Sequence, residues 1–145
     1  MTSETDPLAS ELRVVIGRLI RRLRAERRGL GLSQVTVLAR LDRGGPATTS
    51  DLAAGERVRP QSMADTVGSL VDAGLVERSQ DPADGRRVLI GLTQAGREAL
   101  AADRRLREGW LAAAIERDLT AQERRVLEQA TRLLDRLADS DVGAT

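Results

Sequence analysis

Residues 59–93 read RPQSMADTVGSLVDAGLVERSQDPADGRRVLIGLT, and this stretch decides the fold. It opens with an amphipathic helix predicted over 60–73. Pro60 brings the pre-set φ of a first helical position, and Gly74 brings the stop. Met63, Val67, Leu70 and Val71 recur at helical spacing and form an apolar face. Gln61, Asp65, Ser69 and Asp72 lie roughly opposite, with Ser62 and Thr66 on one flank. Leu75-Val76-Glu77-Arg78 and Val88-Leu89-Ile90 read as short strands around SQDPADGRR, where Asp81-Pro82 and Asp84-Gly85 are turn dipeptides.

Upstream, Asp6-Pro7 reads as a helix start, Asp as cap and Pro at the first helical position. Leu8, Leu12, Val15, Ile16, Leu19, Ile20 and Leu23 then recur at helical spacing, and Gly29 and Gly31 end the helix after Arg28. Ser33 is the expected cap of a second helix running to Gly44-Gly45-Pro46, and Thr48 or Thr49 caps a short third. Downstream, Thr93 caps a long helix predicted over 94–117, and Thr120-Ala121-Gln122-Glu123 is a capping box opening the last one. The order is α-α-α-α-β-β-α-α, mainly α. A helix backed by a two-stranded ribbon with arginines at its tip has the form of a winged helix-turn-helix, which holds duplex DNA by a helix in the major groove and a tip at the backbone or minor groove.

At 145 residues the chain is expected to be one domain, with helices 6–28 and 94–139 flanking a winged lobe over 33–93. It has no Cys, which excludes disulfides, thiolate metal sites and thiol redox sensing, and no His, the commonest general base and metal ligand. No nucleophile–base set, phosphate loop or metal-spaced cluster is visible, so neither an enzyme nor a cofactor or metal site is expected. No apolar run approaches a membrane span and no signal-peptide pattern opens the chain; a cytoplasmic protein is expected. All 23 basic residues are Arg, and the net charge is only +1. Over 44–93 five Arg face seven acids. Bulk charge alone therefore does not predict DNA binding; the case rests on where particular arginines sit.

Within the lobe, Gln61 suits adenine, and Ser62, Thr66 and Ser69 can donate or accept. Arg59, beside the helix cap, suits a phosphate or a guanine. Asp65 is awkward on a DNA-facing surface: it suits cytosine N4, or it orients Arg57 or Arg59. Asp84 and Arg86 can pair across the wing turn, with Arg87 a second basic finger. Helix 1 and the last helix each carry an apolar stripe too wide for a small lobe to cover, including Leu8, Leu12, Val15 and Leu19 in the first and Val126, Leu133 and Leu137 in the last. Such stripes imply a homodimer. Trp110, the single aromatic residue, is expected in core or interface before ligand contact.

Arg59-Pro60-Gln61-Ser62-Met63, the stretch from Leu70 to Val76 with its Ala-Gly-Leu-Val turn, Arg78, Asp81-Pro82, Asp84-Gly85-Arg86-Arg87 and Leu92-Thr93 together resemble the MarR (multiple antibiotic resistance regulator) family of bacterial transcription factors. The resemblance implies a dimer built by first and last helices, with two winged lobes on a pseudo-palindromic operator of double-stranded DNA. It implies that Asp84 braces Arg86 for the minor groove, that Arg78 belongs to the DNA-binding set, and that Ser33, Thr49 and Ser50 are candidates for backbone contacts. It also implies a small aromatic or anionic effector between the dimer region and the lobes. Asp65 departs from the basic or hydroxyl residue expected thereabouts. The expected function is a sequence-specific dimeric regulator, a repressor relieved by a ligand. The alternative is a winged interaction module without specific DNA binding.

Overall fold

The computed structural model describes residues 5–26 and 29–142. Six helices and one two-stranded sheet follow in the order α1 (Thr5–Ala25), α2 (Leu32–Gly44), α3 (Thr49–Glu56), α4 (Pro60–Asp72), β1 (Val76–Gln80), β2 (Val88–Leu92), α5 (Gln94–Asp118) and α6 (Ala121–Ala138). The chain divides into two compact units, Met1–Arg107 and Glu108–Thr145. Among the described residues, no helix is long and apolar enough to cross a membrane.

The core lies in the first unit. Val35, Val37, Leu38 and Leu41 of α2 meet Leu52 and Ala53 of α3, Met63, Val67 and Leu70 of α4, Val76 and Ile90 of the ribbon, and Leu100 of α5. Every one of these positions is almost wholly removed from solvent, so burial against water holds the lobe together. β1 and β2 pair antiparallel, Val76 opposite Leu92 and Gln80 opposite Val88. Ala47 adds a bridge to Ile90, with backbone bonds of 3.1 and 2.7 Å.

Caps decide most boundaries. Thr48 rather than Thr49 caps α3: its hydroxyl accepts from Asp51 N at 3.1 Å, and the Asp51 carboxylate accepts from Thr48 N at 3.4 Å. This reciprocal arrangement satisfies two orphan donors. α4 ends in a Schellman motif: Leu75 N donates to Leu70 O and Gly74 N to Val71 O, each at 2.9 Å, with Gly74 at φ +73° where a side chain would be strained. Leu75 is thus part of the helix stop, and β1 starts one residue later than expected. Thr93 caps α5 by accepting from Gly96 N at 3.0 Å, and donates its own proton to Gly74 O at 2.6 Å. Thr120 accepts from Glu123 N at 3.2 Å at the start of α6.

Three expected boundaries are corrected. α1 starts at Thr5, so Asp6 lies in its first turn instead of capping it; the first-turn N–H groups have no intrahelical acceptor, which is why Pro7 is tolerated inside the helix. α1 ends at Ala25, and the expected continuation through Arg27 and Arg28 lies outside the described residues. α2 starts at Leu32 with Gly31 as cap, leaving Ser33 inside the first turn. Gln34 supplies the capping acceptor, its Oε1 taking Gly31 N–H at 2.9 Å.

Candidate nucleic-acid interface

α4 turns Met63, Val67 and Leu70 into the core and leaves Arg59, Gln61, Ser62, Asp65 and Ser69 exposed, with Thr66 half-buried. Arg59 occupies the cap position in extended backbone and makes no side-chain cap bond. The first turn holds no acid, so the positive end of the helix dipole is unopposed there.

The hydrogen bonds on this helix sort its candidates. Gln61 Nε2 donates to Asp65 Oδ1 at 3.1 Å. The partner of Asp65 is therefore Gln61, not Arg57 or Arg59, neither of which forms an ion pair with it among the described residues. Ser69, although exposed, has its hydroxyl engaged by internal partners. It donates to Thr66 O at 2.7 Å and accepts from Gln34 Nε2 at 3.1 Å, which ties α4 to the start of α2. Thr66 donates back to Ser62 O at 3.0 Å. Ser33, Ser62 and Thr66 line a cavity of about 480 Å³ with Leu32, Thr36, Val37, Val58 and Met63. Its charged lining residue is Glu56, held by Arg40 at 2.7 Å, so the cavity offers an anion no cation.

The wing distinguishes its two arginines. Asp81 Oδ1 accepts from Ala83 N at 2.9 Å and Asp84 Oδ1 from Arg86 N at 3.1 Å. Arg87 N donates to Asp84 O and Asp81 N to Arg87 O, both at 3.0 Å. Asp84 thus braces Arg86 through its backbone amide and not through its guanidinium. The Arg86 side chain is exposed and has no carboxylate partner among the described residues. Arg87 instead reaches Asp51 Oδ2 at 3.2 Å and Asp81 Oδ2 at 3.7 Å, fastening the wing to the start of α3. Arg78 stands in mid-ribbon opposite Ile90, away from the tip.

Thr49 and Ser50, the first two residues of α3, line a second concavity with Thr48, Asp51, Arg87 and Val88. The Thr48 hydroxyl, then the Thr48 amide and the Arg87 charge, hold the Asp51 carboxyl below its ordinary pKa. Helix-start N–H groups beside a guanidinium suit a phosphate, with Asp51 orienting that guanidinium. Asp51, Gln34 and Arg40 were not among the expected site residues. The Thr48-x-x-Asp51 spacing was a signal for the first, whereas the contacts of Gln34 and Arg40 span long stretches of chain.

Toward the ends, Leu8, Val15 and Leu19 of α1 are 64, 49 and 42 % exposed and Leu12 is half-buried, and α1 buries no residue. In the second unit, Val126, Leu133 and Leu137 of α6 are exposed, and α6 too buries nothing. Trp110 is half-buried.

The MarR family model matches residues 30–88, which span α2 to the start of β2. An HTH-type transcriptional regulator of Mycobacterium tuberculosis is 40% identical over 134 residues, covering 91% of this chain and 93% of its own length. The chain belongs to the MarR family. A crystal structure from Pseudomonas aeruginosa, of a protein assigned as a transcriptional regulator, superposes with a TM-score of 0.87 at 38% identity, covering 97% of this chain and 100% of that one. BpsR of Bordetella bronchiseptica, whose DNA binding is regulated by 6-hydroxynicotinic acid, shares the fold with a TM-score of 0.66 at 22% identity, covering 97% of this chain and 99% of that one. This MarR chain is a winged helix-turn-helix, DNA-binding transcriptional regulator.

Proposed function

We propose that this protein is a homodimeric repressor that occupies a pseudo-palindromic operator and leaves it when a small aromatic or anionic molecule binds. The observation that carries the reading is the exposed polar face of α4, combined with an Arg86 side chain at the wing tip that has no carboxylate partner among the described residues. In this reading α4 enters the major groove, with Gln61, Ser62 and Asp65 at base edges and Arg59 at a phosphate. Arg86 enters the minor groove, where narrowing strengthens the negative potential. The start of α3, with Thr49, Ser50 and Arg87, holds a backbone phosphate. Ser69 and Arg78 support this surface without reading bases.

The apolar stripes of α1 and α6 support a dimer region formed by α1, α5 and α6, with the lobe over 33–93. Each stripe faces solvent in a single chain, and a second copy gives it a partner. A twofold dimer sets two recognition helices about one DNA turn apart. Regulation of the Bordetella relative by a small aromatic acid supports release by an effector. Asp65 and the acid-rich lobe favour the second reading, a winged interaction module without specific DNA binding.

Fluorescence anisotropy on the duplex upstream of the protein's own gene, against a scrambled duplex, separates the two. A repressor binds the native duplex tightly and less tightly as salt rises. Equal weak binding to both selects the interaction module.

A further inference from the structure

Gln61 and Asp65 stand one turn apart on α4, both exposed and joined by the 3.1 Å bond from Gln61 Nε2 to Asp65 Oδ1. The bond has chemical consequences for both side chains. A glutamine amide owns two N–H donors and one carbonyl oxygen. With one N–H held by Asp65, it presents one donor beside one acceptor. That is the complement of adenine, which offers N7 as acceptor and N6–H₂ as donor in the major groove. Guanine offers N7 and O6, both acceptors, so Oε1 would face a lone pair. Turning the amide over does not help, because either way its oxygen meets one of guanine's two acceptors; only a rotation that presents the NH₂ group alone would suit guanine. Here that rotation would break the Nε2 bond to Asp65, and a flip would set Oε1 against a carboxylate, so the adenine-reading orientation is held.

Asp65 itself can only accept when ionised. Its second oxygen suits an exocyclic amine and is repelled by guanine O6 and thymine O4. Cytosine suits it better than adenine, because adenine places the N7 lone pair beside its amine. Four residues of helix advance about 6 Å, but the 3.1 Å bond holds the two side-chain ends together, within reach of neighbouring base pairs.

We propose that Gln61 and Asp65 act as one reading unit: Asp65 fixes the polarity of the Gln61 amide, and the pair selects adenine beside cytosine while excluding guanine from both positions. The proposal rests on the reading that α4 enters the major groove. It gives Asp65 a positive role despite its repulsion of phosphates, as a residue that gives up affinity for discrimination.

The test is selection from a randomised duplex library by the full-length protein and its Asp65→Asn, Asp65→Ala and Gln61→Ala variants, followed by sequencing. Far-ultraviolet circular dichroism checks that each variant is folded. The wild type should select adenine and a neighbouring cytosine in each half-site, with guanine depleted on the order of tenfold at both. Asp65→Asn, nearly isosteric, gains a donor and should admit guanine at the second position. Asp65→Ala should lose discrimination at both positions while holding or raising overall affinity. Gln61→Ala should lose only the adenine preference. An unchanged base preference in Asp65→Asn would overturn the unit, and an intact adenine preference in Asp65→Ala would overturn its locking step. A wild type that enriches no sequence would overturn the DNA-reading function itself, a distinguishable result.

Discussion

Replacing Gly96 with Ala tests the joint on which the wing depends. Gly96 is the third residue of α5, and an added Cβ would press into the Leu75 carbonyl oxygen, 3.0 Å from its carbon and 3.1 Å from Leu92 Cδ2. The carbonyl cannot yield freely, because Leu75 O accepts from Thr93 N at 3.2 Å and Leu75 N is fixed in the Schellman bond to Leu70 O. α5 must back away instead, stretching the Thr93 hydroxyl bonds to Gly74 O and from Gly96 N. Overpacking costs about 1–3 kcal/mol, and two weakened hydrogen bonds cost about 1 kcal/mol each. Alanine's better helix propensity returns roughly 1 kcal/mol. The net is a loss of about 2–4 kcal/mol, a fall in Tm on the order of 10 °C. Gly109→Ala is the control, since its added Cβ meets nothing within 4 Å; it should hold or raise Tm. Thermal unfolding by circular dichroism, at one protein concentration because a dimer's Tm depends on it, reads both. A Gly96→Ala protein melting at or above wild type would refute the argument.

Arg86→Ala should weaken operator binding by about 1–3 kcal/mol per lobe with the oligomeric state unchanged, as read by anisotropy and light scattering. Arg87→Ala should instead also loosen the wing, seen as faster amide exchange around residues 81–88, because it releases Asp51 and Asp81. Thr48→Val should cost about 1 kcal/mol of stability through the lost cap and raise the Asp51 pKa toward its ordinary value, followed by carboxyl NMR titration. The sign follows from the depressed folded value: the Asp51 contribution is complete above the ordinary 3.8 and is lost as pH falls through the lower folded pKa. Leu133→Glu, placing a charge in the exposed α6 stripe, should shift the protein from dimer to monomer in light scattering and abolish tight operator binding.

Local chemistry was legible in the sequence, and long-range pairing was not. Thr93 and Thr120 cap their helices as expected, and Pro60 and Gly74 bracket α4, because each acts on backbone within a few residues. Helix spacing placed Met63, Val67 and Leu70 on the buried face for the same reason. Which of Arg86 and Arg87 is held by a carboxylate depended on Asp51, which lies 36 residues from Arg87. The bond that engages the Ser69 hydroxyl comes from Gln34, 35 residues away. No periodicity carries such information. The Gln61–Asp65 bond is different: an i, i+4 pair on one helix face lies within reach of sequence reasoning. Bulk charge was a poor guide, because the chain belongs to a DNA-binding family despite a net charge of only +1.

Hydroxyl-radical footprinting of the wild-type and Arg86→Ala proteins on the upstream duplex tests the central claim most directly. Two protected backbone segments about one helical turn apart are expected, each flanked by minor-groove protection that Arg86→Ala removes. A single protected patch, or flanking protection that survives in Arg86→Ala, would contradict it.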